Sequence, residues 1–373
     1  MMKIVLLTMA VLIIFSSPPN IWAEEMINVA AIYALSGLAA EAHAGPVNGV
    51  KWAVEEINAA GGLIGRKIHL ILIDNLSTPI GSGIAAEKAD QEKAAAIIGS
   101  AWSSHSIAIA KVAQELGIPM ISCQSTNPEV TLVGPYIFRV CFTDRFQGEV
   151  MARFARLYLN AGSAIVFTKL DSDYSIGLSE IFIRNFRLLD GAVIKDIEYK
   201  SNFQKLDGQI AAARKADADV VFFTGHDETG YIAKLLQTHG VRAVPLGGDG
   251  WMVDSFLTKG GNQLKQGYFC SHWSADSKDQ YSQKFVGRYG NREGFGVGAA
   301  LSYDAMMVLA HAIRSARNAD RIQVRDALAR TVNFQGVTGT ISFNDNGDPF
   351  KSAVIMEIRN GRTGYLQTLS PAE

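Results

Sequence analysis

Ala95-Ala96-Ile97-Ile98-Gly99 runs into Trp102-Ser103-Ser104, and some twenty residues later Ile118-Pro119-Met120-Ile121-Ser122 runs into Gln124-Ser125-Thr126-Asn127-Pro128. In both stretches a short apolar run, the signature of a strand buried on both faces, ends in hydroxyls where a helix should begin. Free backbone N–H groups of a helix start, with hydroxyls beside them, offer an anion hydrogen bonds and a favourable dipole without a formal positive charge. The two clusters therefore predict a site for a small acid.

The same alternation extends outward in both directions. Ile27 to Ile32 reads as a strand, Gly45 to Ala60 as a helix with Val47, Val50, Val54 and Ile57 on one face, and Gly61-Gly62 as its stop. Ile68 to Ile73, a helix around Ala85 to Glu92, and a helix from Ser104 to Leu116 continue the series. A second series begins after Asp144, with strands near Ala164 to Thr168, Val193 to Tyr199, Val220 to Thr224 and Val244 to Leu246. Strand alternating with helix predicts an α/β chain with parallel sheets covered on both faces. Ligands of such sheets sit beyond the carboxyl ends of the strands, where both hydroxyl clusters and Gly247-Gly248-Asp249-Gly250 fall. Two such edges face to face would make a cleft.

Lys3, the apolar run Ile4 to Phe15 and the small residue Ala23 read as a cleavable signal peptide over residues 1–23, which places the mature chain in the periplasm. About 350 remaining residues exceed what one core usually organises, so two domains are expected. Basic and acidic residues number 35 and 36, a balance that points to neither nucleic acid nor a membrane surface. Cys123, Cys141 and Cys270 are an odd set, read chiefly as small buried hydrophobes, with one disulfide left open.

Six stretches together carry a resemblance: Leu35-Ser36-Gly37, Glu56-Ile57-Asn58-Ala59-Ala60-Gly61-Gly62-Leu63-Ile64-Gly65-Arg66, Ile73-Asp74-Asn75, Ser125-Thr126-Asn127-Pro128-Glu129, Phe138-Arg139 and Asp144-Arg145-Phe146-Gln147-Gly148. The resemblance is to the periplasmic solute-binding proteins of the leucine/isoleucine/valine type, which serve ABC transporters. It implies a type I periplasmic-binding-protein fold: two Rossmann-like lobes with parallel sheets, joined by a three-strand hinge that closes over the ligand. By that resemblance the N-terminal lobe comprises 24–143 plus 273–345, and the C-terminal lobe 144–272 plus 346–373.

The resemblance also implies a site. Ser103 and Thr126 would hold a ligand carboxylate, Gln124 would offer backbone atoms beside them, and Asp249 would take the ligand ammonium. Tyr174 would face the cleft from the second lobe. His226 stands where relatives commonly have tyrosine, Trp102 where they have a cysteine, and Leu76 at that cysteine's disulfide partner position, so the family disulfide is expected to be missing. His43 is the sole ring near the first strand to cover a ligand. For Ser103, Thr126 and Tyr174 helix capping is the bland alternative, for Asp249 a solvated turn, and for Trp102 simple packing.

No Gly-x-Ser-x-Gly elbow, Walker loop or His-Glu-x-x-His occurs, and Gly61-Gly62-Leu63-Ile64-Gly65 follows a helix where a dinucleotide loop follows a strand. His226, Asp227 and Glu228 are adjacent, and adjacent residues seldom converge on one metal. The expectation is a non-enzymatic, cofactor-free and metal-free monomer that captures a small, possibly polar amino acid and delivers it to an inner-membrane ABC permease. An amide, urea or aromatic carboxylate ligand, a receptor-coupled sensor and a secreted enzyme are the alternatives.

Overall fold

The computed structural model describes residues 26–203 and 205–370. The expected leader at 1–23 lies outside the described residues. Among those described, no helix is long and apolar enough to cross a membrane.

The first half of the chain alternates as the pattern requires: β1 (Ile27–Tyr33), α1 (Ala40–Ala59), β2 (Ile68–Asp74), α2 (Pro79–Gln91), β3 (Ala96–Gly99), α3 (Ser103–Glu115), β4 (Met120–Ser122), α4 (Glu129–Leu132) and β5 (Ile137–Arg139). The five strands form one parallel sheet ordered β2-β1-β3-β4-β5. Neighbouring residues of β1 point to opposite faces, so Val29 and Ala31 join a core with α1, while Ala30 and Ile32 join another with α2 and α3. Every residue of β3 is buried. At its end only glycine fits, because a Cβ on Gly99 would lie 2.3 Å from the Ile32 carbonyl oxygen, and its φ is +121°.

The second sheet follows with α5 (Asp144–Arg153), β6 (Ser163–Lys169), α6 (Asp173–Leu188), β7 (Ala192–Tyr199), α7 (Asp207–Ala216), β8 (Val220–Phe223), α8 (Glu228–Thr238), β9 (Val244–Gly247), α9 (Asp254–Thr258) and β10 (Gln266–Ser271). The chain then returns to the first core through α10 (Gln280–Tyr289), α11 (Val297–Ala316), α12 (Arg321–Ala329) and the hairpin β11 (Phe334–Gly336) and β12 (Gly339–Ile341). It finishes in the second sheet with β13 (Ala353–Arg359) and β14 (Arg362–Leu369), giving the order β14-β13-β10-β9-β8-β6-β7.

This second sheet is parallel from β10 to β7 and mixed at its other edge. β13 runs antiparallel to β10, and β14 antiparallel to β13. β14 turns back on β13 for a local reason: Asn360 and Gly361 both take positive φ, 50° and 74°, and turn the chain straight back on itself. Elsewhere the lobe is doubly wound. Phe182 and Phe222 stack at 4.2 Å on one face, and Trp251 and Phe256 stack at 4.3 Å on the other.

Where the chain passes between sheets, Arg139 at the end of β5 is fully buried. It donates to Asp348 Oδ1 at 2.6 Å and to the carbonyls of Ser125 at 2.6 Å and Asn127 at 3.0 Å. One guanidinium thus fixes the loop after β4 to the segment leading into β13.

Candidate functional site

Ala101, Trp102, Ser103 and Gln124 come from the carboxyl edge of the first sheet, Tyr174, His226, Asp249 and Gly250 from that of the second, and together they line one cleft. Six of the seven residues singled out in the sequence are therefore brought to one hollow. The seventh, Thr126, is fully buried beside it, and its carbonyl accepts from the Asp144 N–H at 2.8 Å.

The bland readings fare unevenly. Ser103 is the first residue of α3 and caps nothing; the residue before it, Trp102, makes no side-chain cap either. Ser103 Oγ instead accepts from the Asn127 N–H at 3.3 Å, tying the two hydroxyl loops together. Asp249 is only 5% exposed, so it is no solvated turn residue. Helix α6 is capped by Ser172, which leaves Tyr174 free to turn inward, where its hydroxyl accepts from the Gly250 N–H at 3.2 Å. Burial and the nearby charges of Asp249 and Asp144 push the Tyr174 hydroxyl well above its usual range, so it stays protonated.

The view that every hydroxyl of the two clusters serves an anion needs correction. Ser125 Oγ bonds Ser106 Oγ at 2.7 Å, and Ser106 Oγ also accepts from the Ser100 N–H at 3.0 Å. A buried hydroxyl must find a partner, and these serines find one another. Ser103 and Thr126 remain.

Asp249 follows β9. Its N–H donates to Gln147 Oε1 at 2.5 Å, and its Oδ2 lies 3.0 Å from His272 Nε2. Gln147 Nε2 in turn donates to Asp144 Oδ1 at 3.0 Å. Burial, aided by the Asp249 charge, raises the Asp144 carboxyl to about 8, although the Thr126 hydroxyl, Arg139 and Gln147 pull the other way. Asp144 is thus a neutral acid at pH 7. Burial also lowers His272 and His226 below their usual range, keeping both rings uncharged.

Several polar atoms around the cleft are buried without a hydrogen-bond partner: Gln124 Oε1, His226 Nδ1 and Asp249 Oδ1. Each such group costs about 1–3 kcal/mol if left unpaired. Their convergence marks a surface shaped for a polar guest.

Rings form the rest of the wall. His226 packs on Trp102 at 4.7 Å and on Tyr174 at 4.9 Å. His43 is wholly buried and stands edge-on behind Trp102 at 5.7 Å, so it backs the wall rather than covering a ligand. Burial lowers it to about 3. Asp227 and Glu228, beside His226, are engaged by Lys259 at 2.6 Å and Lys169 at 3.2 Å. Among the described residues no group of three or more His, Cys, Asp or Glu side chains is placed to hold a metal. All three cysteines are buried and free.

Sequence reading passed over Gln147, Asp144 and His272 as site residues, because nothing local in the chain reveals that residues about 100 and 23 positions away support Asp249. It passed over His105 as well, although Ser103-Ser104-His105 opens α3 and puts that ring beside Trp102 at 5.4 Å.

Two open α/β units whose carboxyl edges share a buried polar cleft define a type I periplasmic-binding-protein fold. A family model described as periplasmic binding protein matches residues 26–363, and the chain belongs to that family, in its branched-chain amino acid, ABC-transporter type. Leu/Ile/Val-binding protein homolog 1 of Brucella abortus is 27% identical over 331 residues, 86% of this chain and 87% of that protein. An amino acid binding protein of Pseudomonas aeruginosa is 32% identical over 226 residues, 59% of each, so the chain spans somewhat more than half of that relative. The solved leucine-binding protein of Thermotoga maritima superposes with a TM-score of 0.88 at 34% identity, over 93% of this chain and 99% of that one.

Proposed function

We propose that this chain captures a small amino acid in the cleft between its lobes and hands it, chemically unchanged, to an inner-membrane ABC permease. The carboxylate sits at Ser103, Thr126 and the start of α3, with Gln124 beside it; the ammonium sits at Asp249 Oδ1; Trp102, Tyr174 and His226 enclose the remainder. The lobes on this reading are 24–143 with 273–345 and 144–272 with 346–373, and residues 1–23 direct export to the periplasm. The protein acts as a monomer without catalysis or cofactor.

The observation that carries the reading is the half-partnered Asp249: one carboxylate oxygen is held by His272, and the other is buried and unpaired at the cleft. A desolvated carboxylate oxygen is costly unless a cation reaches it. An amino acid brings that cation together with a carboxylate for the opposite pole.

Calorimetric titration of Asp249→Asn and Ser103→Ala against an amino acid and against acetamide tests the assignment. Asp249→Asn should cost the amino acid about 2–5 kcal/mol, thirtyfold or more in Kd, and leave the uncharged amide within a few-fold. Ser103→Ala should weaken both. Equal losses of both ligands in Asp249→Asn would remove the ammonium role.

A further inference from the structure

Four rings run in file through the cleft: His105, Trp102, His226 and Tyr174, with successive centroids 5.4, 4.7 and 4.9 Å apart. The first two belong to the first lobe and the last two to the second, so lobe meets lobe through the Trp102–His226 contact. Neither central ring is loose. Behind Trp102 stands His43, itself fixed by the Ala34 N–H donating to its Nδ1 at 2.8 Å, and the Lys169 ammonium lies 6.0 Å from the indole centroid, held there by Glu228. His226 has its own N–H bonded to Glu228 Oε1 at 3.3 Å.

The consequence is one of volume. The cavity left among Trp102, Ser103, Gln124, Tyr174, His226 and Asp249 is about 30 Å³. A water-sized centre needs roughly 10–15 Å³ on this measure, so the closed cleft offers room for two or three such centres. Slight opening admits the five non-hydrogen atoms of a bare zwitterion between Ser103 and Asp249. The four carbons of a leucine side chain would in addition have to displace a clamped indole.

We propose that Trp102 and His226 occupy the side-chain subsite and restrict the ligand to zwitterions of glycine, alanine or serine size. This rests on the amino acid reading above and narrows it. His226 Nδ1, buried and unpaired on that wall, gives a small hydroxyl side chain a partner and so favours serine within the set.

Titration calorimetry of the purified mature chain, stripped of ligand by unfolding and refolding, tests this with glycine, alanine, serine, leucine, phenylalanine, acetamide, urea and benzoate. The wild type should bind alanine or serine at least tenfold more tightly than leucine. Trp102→Ala should shrink that preference by raising leucine affinity at least tenfold, and a preserved thermal midpoint confirms that the variant folds. Leucine bound more tightly than alanine by the wild type overturns the size limit and leaves the amino acid reading standing, as does an unchanged alanine-to-leucine ratio in Trp102→Ala. Binding of acetamide or urea with no amino acid bound supports the size limit and overturns the amino acid reading. Binding of benzoate alone, or of nothing in the set, overturns both.

Discussion

Replacing Asp144 by Asn should stabilise the protein by an amount that grows from mild acid to mild base. The folded carboxyl titrates at about 8, against an ordinary value of 3.8, because it is fully buried next to Asp249. Its folded pKa lies above its unfolded one, so the stability it lends is full below 3.8 and is lost as pH rises through 8. Between pH 5 and pH 9 the folded form holds its proton over about three units in which the unfolded chain has lost it. At about 1.36 kcal/mol per unit this amounts to about 4 kcal/mol. Asn has the shape of the protonated acid and can still accept from Gln147 through Oδ1. The two proteins should therefore melt together below about pH 4. Between pH 5 and pH 9 the variant's lead should grow by about 8 °C, taking roughly 2 °C per kcal/mol for a chain of this size. Differential scanning calorimetry of both across that range is the assay. Melting curves that stay parallel from pH 5 to pH 9 would show that Asp144 is not held protonated, and the electrostatic account of the ammonium pole would fall with it.

Two further predictions concern the frame. Gly49→Ala on α1 would put a Cβ 2.1 Å from the Ala299 carbonyl oxygen of α11, so it should destabilise by about 2 kcal/mol or more despite alanine's better helix propensity, whereas Gly208→Ala on exposed α7 meets nothing within 4 Å and should stabilise by about 0.5–1 kcal/mol, both read from denaturant midpoints. Arg139→Ala should cost about 3–5 kcal/mol by stranding Asp348 and two loop carbonyls, and Arg139→Lys should recover little, since one ammonium cannot span that fork; full recovery by lysine in thermal melts would refute the bridging role.

The strands that position the site were readable because they are buried on both faces, which makes Ile97-Ile98 and Val220 to Phe223 continuous apolar runs whatever surrounds them. The closing strands carry a hairpin signal in Asn360-Gly361, but β14 is largely exposed and lacks the continuous apolar run that marks the buried strands. Within the site, Ser103, Trp102 and Asp249 stand directly after strands, where loops of a parallel sheet must gather, so their convergence follows from topology. What lies underneath follows from no local pattern. Ser125 looked like an anion ligand, yet its hydroxyl is spent on Ser106, and choosing between these uses takes the orientation of α3 over β4, which no short stretch encodes.

The ammonium pole shows why that hidden layer matters. Two carboxyl groups, Asp144 and Asp249, meet through one glutamine in a buried setting, with two neutral imidazole and phenol neighbours, His272 and Tyr174. Were both carboxyls charged, their repulsion would strain the second lobe just beneath the cleft. With Asp144 neutral, the pole carries a single carboxylate charge, matched to a single ligand ammonium, and Gln147 conveys the state of one acid to the other through its fixed amide. On the proposed reading the empty protein holds one uncompensated charge, and a zwitterion would supply its counter-charge together with a carboxylate for Ser103 and Thr126. An amide satisfies the hydroxyls but leaves that charge unpaired, which is why the difference between the two ligand classes should reside in Asp249 rather than in the hydroxyl pair.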